Sequence, residues 1–264
     1  MAWVVMDYQP VSIFSLRPAQ VTASGGKSLL TPTGFALKMA LLNASIQTAG
    51  LEEGKRRFPI IRDLQIALDL PDHITAIKSF AKVRRLYQEK EGRDKANDEK
   101  EEEFKLRMQA KVAAMTEEGD YPFQPTIAYR EFVQFGDPLA PAQANAVRVA
   151  CAHPSGATPD WVGDALLAVN YLGKRGGFFQ PMRRPSLVEQ LNDAFTEITR
   201  DSEGFSMQGT LQMLDDCGPT MTFDHADIYS TKRITLGKER VLRHVVLPYR
   251  LARSSRGYSF YERV

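Results

Sequence analysis

Apolar side chains alternate in some stretches of this chain and recur every three to four residues in others, and the two periods divide it into strands and helices. Trp3 to Leu16 alternates, with Val4, Met6 and Tyr8 on one face and a bend expected at Pro10. A polar, glycine-containing loop runs from Arg17 to Ser28. A helix is expected next, with Thr31 as N-cap and Pro32 in the first position. Phe35, Met39, Leu42 and Ile46 would form its apolar stripe, and Gly50 its end. Phe58 to Leu70 is expected as a second strand, entered through Lys55, Arg56 and Arg57, and Ile74 to Tyr87 as an amphipathic helix.

Gln88 to Glu103 has no large apolar residue, so it is read as a solvated insertion. Thr126 to Phe135 and Asn145 to Ala152 alternate as strands, divided by the proline-rich turn DPLAPAQ. Asp160 to Leu172 has helical spacing, with Trp161, Ala165, Leu166 and Val169 apolar, and runs into Gly173-Lys174-Arg175-Gly176-Gly177. Arg233 to Tyr261 reads as strands in a basic-aromatic alternation. The order is βαβ, insertion, ββαβ. It implies an α/β (α+β) chain compatible with a ferredoxin-like or RRM-type sheet carrying extra elements.

Composition adds little until the charges are placed. The 264 residues carry a formal net charge of +2, with 43% apolar and 25% charged residues, ordinary globular usage. From Glu89 to Lys105, eight acids face five bases, so the remainder of the chain stands at +5. Lys232 to Arg263 holds nine Lys and Arg against Glu239 and Glu262. Such clustering fits a polyanion partner, or bases paired in space to distant acids. MAWVVMDYQP lacks a basic region, and an acid and a proline cut its apolar run, so no secretion signal is expected there. No stretch reaches the roughly 20 apolar residues of a membrane helix. Cys151 and Cys217 form no CxxC pair and fit buried thiols in a reducing cytoplasm.

The candidate catalytic motifs fail on spacing. Gly25-Gly26-Lys27-Ser28 would need a glycine at Val21 to be a nucleotide-hydrolysing P-loop. It remains able to hold a phosphate near a helix N-terminus. His73, His153, His225 and His244 show no metal spacing, and Asp224-His225-Ala226-Asp227 cannot converge on one ion in regular structure. No metal, cofactor or catalytic residue is therefore expected. Gly173 to Gly177 is more specific: glycines admit close backbone approach, Lys174 and Arg175 supply charge, and Phe178 and Phe179 could stack bases.

These segments resemble a known family. An N-terminal strand, SGGKSLLTPTGFALKMALL, a thumb-like insertion, AYREFVQFGDP leading to VRVACA, and a helix ending in YLGKRGGF occur in that order over about residues 2–180. Together they are similar to the fifth Cas family, the RAMP subunit that caps the 5′ handle of the guide RNA in type I CRISPR Cascade complexes. The resemblance implies an RRM-like RAMP domain over 1–180 with its insertion at about 71–125, and a basic β-rich region over 181–264. It implies a cytoplasmic binder of crRNA in antiviral defence, meeting target DNA indirectly, beside a backbone subunit and a large subunit, and away from membranes. The RNA-binding residues it points to are Gly26, Lys27, Ser28, Lys38, Arg130, Lys174, Arg175, Gly176 and Gly177, with Arg56 and Arg57 counted beside them. Some branches of the family cleave the guide precursor with a tyrosine on the first helix and a thumb lysine and histidine. Thr33 to Gly50 contains neither Tyr nor His, so binding without cleavage is expected. The alternatives are a metal-independent endoribonuclease, using the Lys174 loop with His153 or His225, and a stand-alone RNA-binding regulator.

Overall fold

A computed structural model describes residues 2–20, 26–86, 101–117, 123–137, 145–173, 177–204 and 208–264. The chain is α+β and divides into two compact units, 1–79 with 130–264, and 80–129. Residues 181–264 thus share a unit with most of the preceding chain.

The first unit is built on a mostly antiparallel central sheet. Strand β1 (Trp3–Pro10) pairs with β5 (Val147–Ala152), which pairs with β2 (Gln65–Asp69), giving Met6↔Val149 and Leu68↔Val149 in register. Strands β6 (Phe179–Pro181) and β7 (Ser186–Val188) both pair with β1, and β8 (Thr196–Glu197) closes the far edge on β2. Alternation sends Val4, Met6, Tyr8, Ile66, Leu68, Val147, Val149 and Cys151 to one face, where the helices cover them. These are α1 (Gly34–Ala49), α2 (Leu51–Asp63) and α4 (Trp161–Ala168); α1 packs on α2 and α4, and α4 on β1. The Tyr8 hydroxyl crosses this layer to donate to the Leu166 carbonyl (2.5 Å). With α1 and α2 taken as one helical connection, the sheet and helices follow the order β-α-β-β-α-β along the chain, with a long excursion between β2 and β5.

A second sheet has the order β11-β12-β3-β4, from β3 (His73–Leu86), β4 (Phe123–Phe135), β11 (Tyr249–Ser254) and β12 (Tyr258–Arg263). A two-stranded sheet joins β9 (Thr210–Cys217) to β10 (Arg240–Leu247), with β9 against α1. The short helix α5 (Phe223–Ala226) lies by α2. In the second unit, α3 (Glu101–Glu117) lies between the outer parts of β3 and β4 in sequence.

Five sequence expectations change. The cap of α1 is Thr33, whose Oγ1 accepts from Ala36 N (3.1 Å), and not Thr31. Residues 29–31 are instead a buried extended segment, pinned where Leu30 N donates to Gln212 Oε1 (3.1 Å). The deepest face of α1 runs through Leu37, Lys38, Leu41 and Ser45, with Lys38 meeting Asp216 of β9; of the expected stripe Leu42 is buried, and Phe35, Met39 and Ile46 are half-buried against the same core. Phe58 to Asp63 continues a helix rather than starting a strand. Gly50, with φ at +87°, turns the chain from α1 into α2, and Phe58 and Ile61 bury that helix's inner face. Ile74 to Leu86 is strand β3, not a helix, because β12 supplies its partner: Ile74↔Tyr261 and Ala76↔Ser259. The expected helix over Asp160–Leu172 is shorter, ending at Ala168. Most of the Gln88–Glu103 expectation lies outside the described residues.

Candidate nucleic-acid interface

The N-terminal strand leads into a segment that bends across the end of the central sheet, and several expected site residues gather on it. Phe14 bridges to Val133 of β4, exchanging backbone hydrogen bonds of 3.0 and 2.6 Å. Its ring lies 5.1 Å from Phe135 and 5.2 Å from Phe179. Two residues on, Leu16 N donates to Ser28 Oγ (2.9 Å), and the Leu16 carbonyl accepts from Leu29 N (2.7 Å). Ser28 N donates to Glu131 Oε2 (3.1 Å), and Gly26 O accepts from Glu131 N (2.7 Å). The Gly26–Ser28 turn and the Arg130 strand are therefore laced together around Leu16.

The glycine loop is anchored on the same residue. Tyr171 bridges to Phe178, and Leu172 N donates to Gly177 O (3.0 Å), so the segment is a hairpin with buried Gly177 in its base. Gly173 has φ at +72°, and a Cβ there would stand 2.4 Å from Leu16 Cδ2. The left-handed backbone favours glycine, and a side chain there would also push the Leu16 methyl aside. Lys174, Arg175 and Gly176, the tip of the expected cradle, lie outside the described residues. On the rim, Arg17 and Lys27 are exposed and make no hydrogen bond or ion pair with the described residues, while Arg130 is half-buried. Phe178 is half-exposed and Phe179 buried, so of the two aromatics only Phe178 can offer a ring to a base.

Other expected contacts have different places. Ser28 faces inward, its hydroxyl committed to Leu16 and Leu29. Lys38 is 2% exposed, and its Nζ meets Asp216 Oδ1 at 2.6 Å beneath β9, out of reach of a surface phosphate. Burial pushes the Asp216 carboxyl above its ordinary range, and Lys38 beside it pulls the other way. Arg56 is exposed and paired with Glu53. Arg57 binds Glu53 (2.7 Å) and Ser45 (3.2 Å) and covers the Trp161 ring at 4.7 Å, so it ties α2 to α1 and α4. These three cations belong to the helical layer.

The C-terminal bases are largely neutralised. Lys232, Lys238, Arg240, Arg243, Arg250, Arg253 and Arg263 pair with Asp224, Glu239, Asp215, Asp201, Glu262, Asp137 and Asp69. His225 is held in the capping box of α5, where its Nδ1 accepts from Thr222 N (3.1 Å). Cys151 and Cys217 are buried free thiols, each pushed by burial up to about 12. Among the described residues no three His, Cys, Asp or Glu side chains group as a metal site, and no helix is long and apolar enough to cross a membrane.

Sequence reasoning missed two features. Arg17 stood at a loop boundary with no motif around it. The outer face of the central sheet, where an RRM-type protein stacks bases, is covered by this chain's own Val188, Leu191 and Phe195, packed on Val5, Ala67 and Ala150. The charged residues within the strands, Asp7, Asp69 and Arg148, were the available signal that this face is unusual.

No family model matches the chain, and no curated protein matches it. A crystal structure of a CRISPR protein from Archaeoglobus fulgidus is similar over 100% of this chain and 92% of that one, with a TM-score of 0.49 and 11% identity. That distant likeness assigns neither family nor activity.

Proposed function

We propose that this chain is a non-catalytic guide-RNA-binding subunit of a type I CRISPR surveillance complex, seated on the 5′ handle of the crRNA. One observation carries the reading. Gly26–Ser28 and the base of the Gly173–Gly177 hairpin, which the sequence marks for a phosphate, and the Arg130 strand, which the resemblance adds, are tied to one another around Leu16. Exposed Arg17 and Lys27 give that cluster two bases without an ion pair among the described residues, and Phe178 gives it a ring. Charge positions a backbone and glycines let it approach closely. The β-α-β-β-α-β order of the central sheet fits the ferredoxin-like, RRM-type unit that the sequence resemblance implies. In this reading the protein works in the cytoplasm against a backbone subunit and a large subunit, and meets target DNA through the guide.

The test is incubation of the purified chain with repeat-derived RNA in EDTA across a salt series. Binding should weaken with salt, with a slope of log K against log salt of about −0.7 for each phosphate neutralised. The RNA should stay intact. A slope near zero would remove backbone recognition, and site-specific cutting would favour an endoribonuclease.

A further inference from the structure

The covered face of the central sheet holds a second arrangement that the guide-RNA reading does not use. Asp7 and Asp69 lie opposite Arg148 from its two sides, in the registers Asp7↔Arg148 and Asp69↔Arg148. Arg183 closes one end on Asp7 (2.5 Å) and Arg263 the other on Asp69 (2.9 Å). The result is a row of alternating sign across three strands, Arg183–Asp7–Arg148–Asp69–Arg263. The Arg148 guanidinium donates to Asp69 (Nε, 2.8 Å) and lies 5.1 Å over the Phe195 ring. Asp7 Oδ1 is buried and has no hydrogen-bond partner.

Residues 186–195 arch over this row and leave a cleft of about 150 Å³. Its walls mix apolar and polar chemistry: Val5, Leu191 and Phe195 on one hand, Arg148, Arg183 and Gln190 on the other, with Ser186 and Asn192 beside them. A purely apolar ligand would leave the amide and guanidinium groups unmatched. A bare inorganic anion would gain nothing from the apolar wall. A planar ring with donors and acceptors on its edge, carrying an anionic group, satisfies both. Amide side chains read the edge of a base in pairs of hydrogen bonds, and a guanidinium forks onto phosphate. The volume lies below the roughly 300–1,000 Å³ of drug-sized pockets, so it suits one ring system with sugar and phosphate at the mouth. Arg183, 63% exposed in its side chain, stands at that mouth.

We infer that this cleft binds a single nucleotide, with its base inside against Leu191 and Phe195 and its phosphate on Arg183. The nucleotide is either a free nucleoside monophosphate or one residue of a strand. The site shares no residue with the cluster around Leu16, so the two stand or fall separately.

Titration calorimetry of the whole chain with the four nucleoside 5′-monophosphates, four homotetranucleotides and inorganic phosphate tests it. At least one monophosphate or tetranucleotide should bind, tighter than phosphate by tenfold or more. Binding of the monophosphate identifies a free nucleotide, and binding of only the tetranucleotide identifies a strand residue. Ser186→Trp should fill the cleft and abolish binding, and Arg183→Ala, at an exposed site, should weaken it about tenfold, the value of one charged hydrogen bond. Gln190→Ala provides a milder block should the tryptophan unfold the chain. Arg17→Ala with Lys27→Ala should leave this binding unchanged. The inference is overturned if nothing binds better than phosphate, or if the Gln190 and Arg183 variants bind as the parent does.

Discussion

The stretch from Lys232 to Arg263 carries nine Lys and Arg, while the loop cluster around Leu16 shows only Arg17 and Lys27 as exposed described bases without a partner among the described residues. By sequence the first is the stronger polyanion footprint. In space that lead disappears: only Arg233 and Arg256 of the nine are exposed without an ion pair among the described residues, as many as the Leu16 cluster shows. Seven of the nine C-terminal bases sit within 4 Å of a carboxylate, and several acids come from far along the chain, such as Asp69 for Arg263 and Asp137 for Arg253. A paired base contributes little to the outward field and serves to hold strands together. Density of bases in a sequence therefore says less about a ligand than how many of them stay unpaired in space.

The largest effect that would sharpen this contrast concerns the cation buried deepest. Lys38→Met strands the Asp216 carboxylate at 4% side-chain exposure, and breaking a buried pair in this way costs about 3–5 kcal/mol. Urea unfolding should show that loss, and Lys38→Met with Asp216→Leu together should recover much of it. If Lys38→Met instead left stability intact while lowering RNA affinity, Lys38 would return to the binding surface. Next, Arg240→Ala removes the Nε partner (2.5 Å) of buried Asp215 and should cost about 2 kcal/mol of stability. RNA affinity measured on the folded fraction should not change.

Arg17→Ala with Lys27→Ala should do the opposite, leaving the melting temperature alone. RNA affinity should fall about tenfold or more, and the salt slope should become shallower by about 1.4, for two phosphates released. Equal losses from the Arg17 and Arg240 variants would erase the distinction between the two regions. The smallest effect belongs to Arg250→Ala. Its partner Glu262 is 3.7 Å away at the surface, so both stability and binding should stay within about 0.5 kcal/mol.

Elements whose neighbours are near in period were legible. The strands at Trp3–Pro10 and Val147–Ala152 and the helix at Trp161–Ala168 each carry an apolar face toward the layer of sheet and helices, and its period shows in the sequence. Ile74 to Leu86 was not legible, since Ile74 and Ile77 fit a helix as well as a strand until Tyr258–Arg263 supplies the ladder. The same distance hid the fate of Lys38, whose carboxylate lies 178 residues away. Of the candidate site, the Gly26–Ser28 turn, Arg130 and the hairpin base were legible as segments. That they meet on Leu16 was not, because an apolar residue at a loop boundary carries no motif.

The excursion between β2 and β5 has a consequence for how the chain can be rebuilt. It leaves on β3 and returns on β4, which are neighbours in one sheet, so the ladder itself brings the two ends of residues 80–129 together. The main unit then does not depend on what is strung between those strands, and loop-closure entropy grows only slowly with length. Lineages could lengthen, shorten or replace the insert without disturbing the register of the first unit. For the experimenter the same junction is a port: a fluorescent or affinity module grafted there would report on the protein from a position that shares no residue with the Leu16 cluster or the nucleotide cleft.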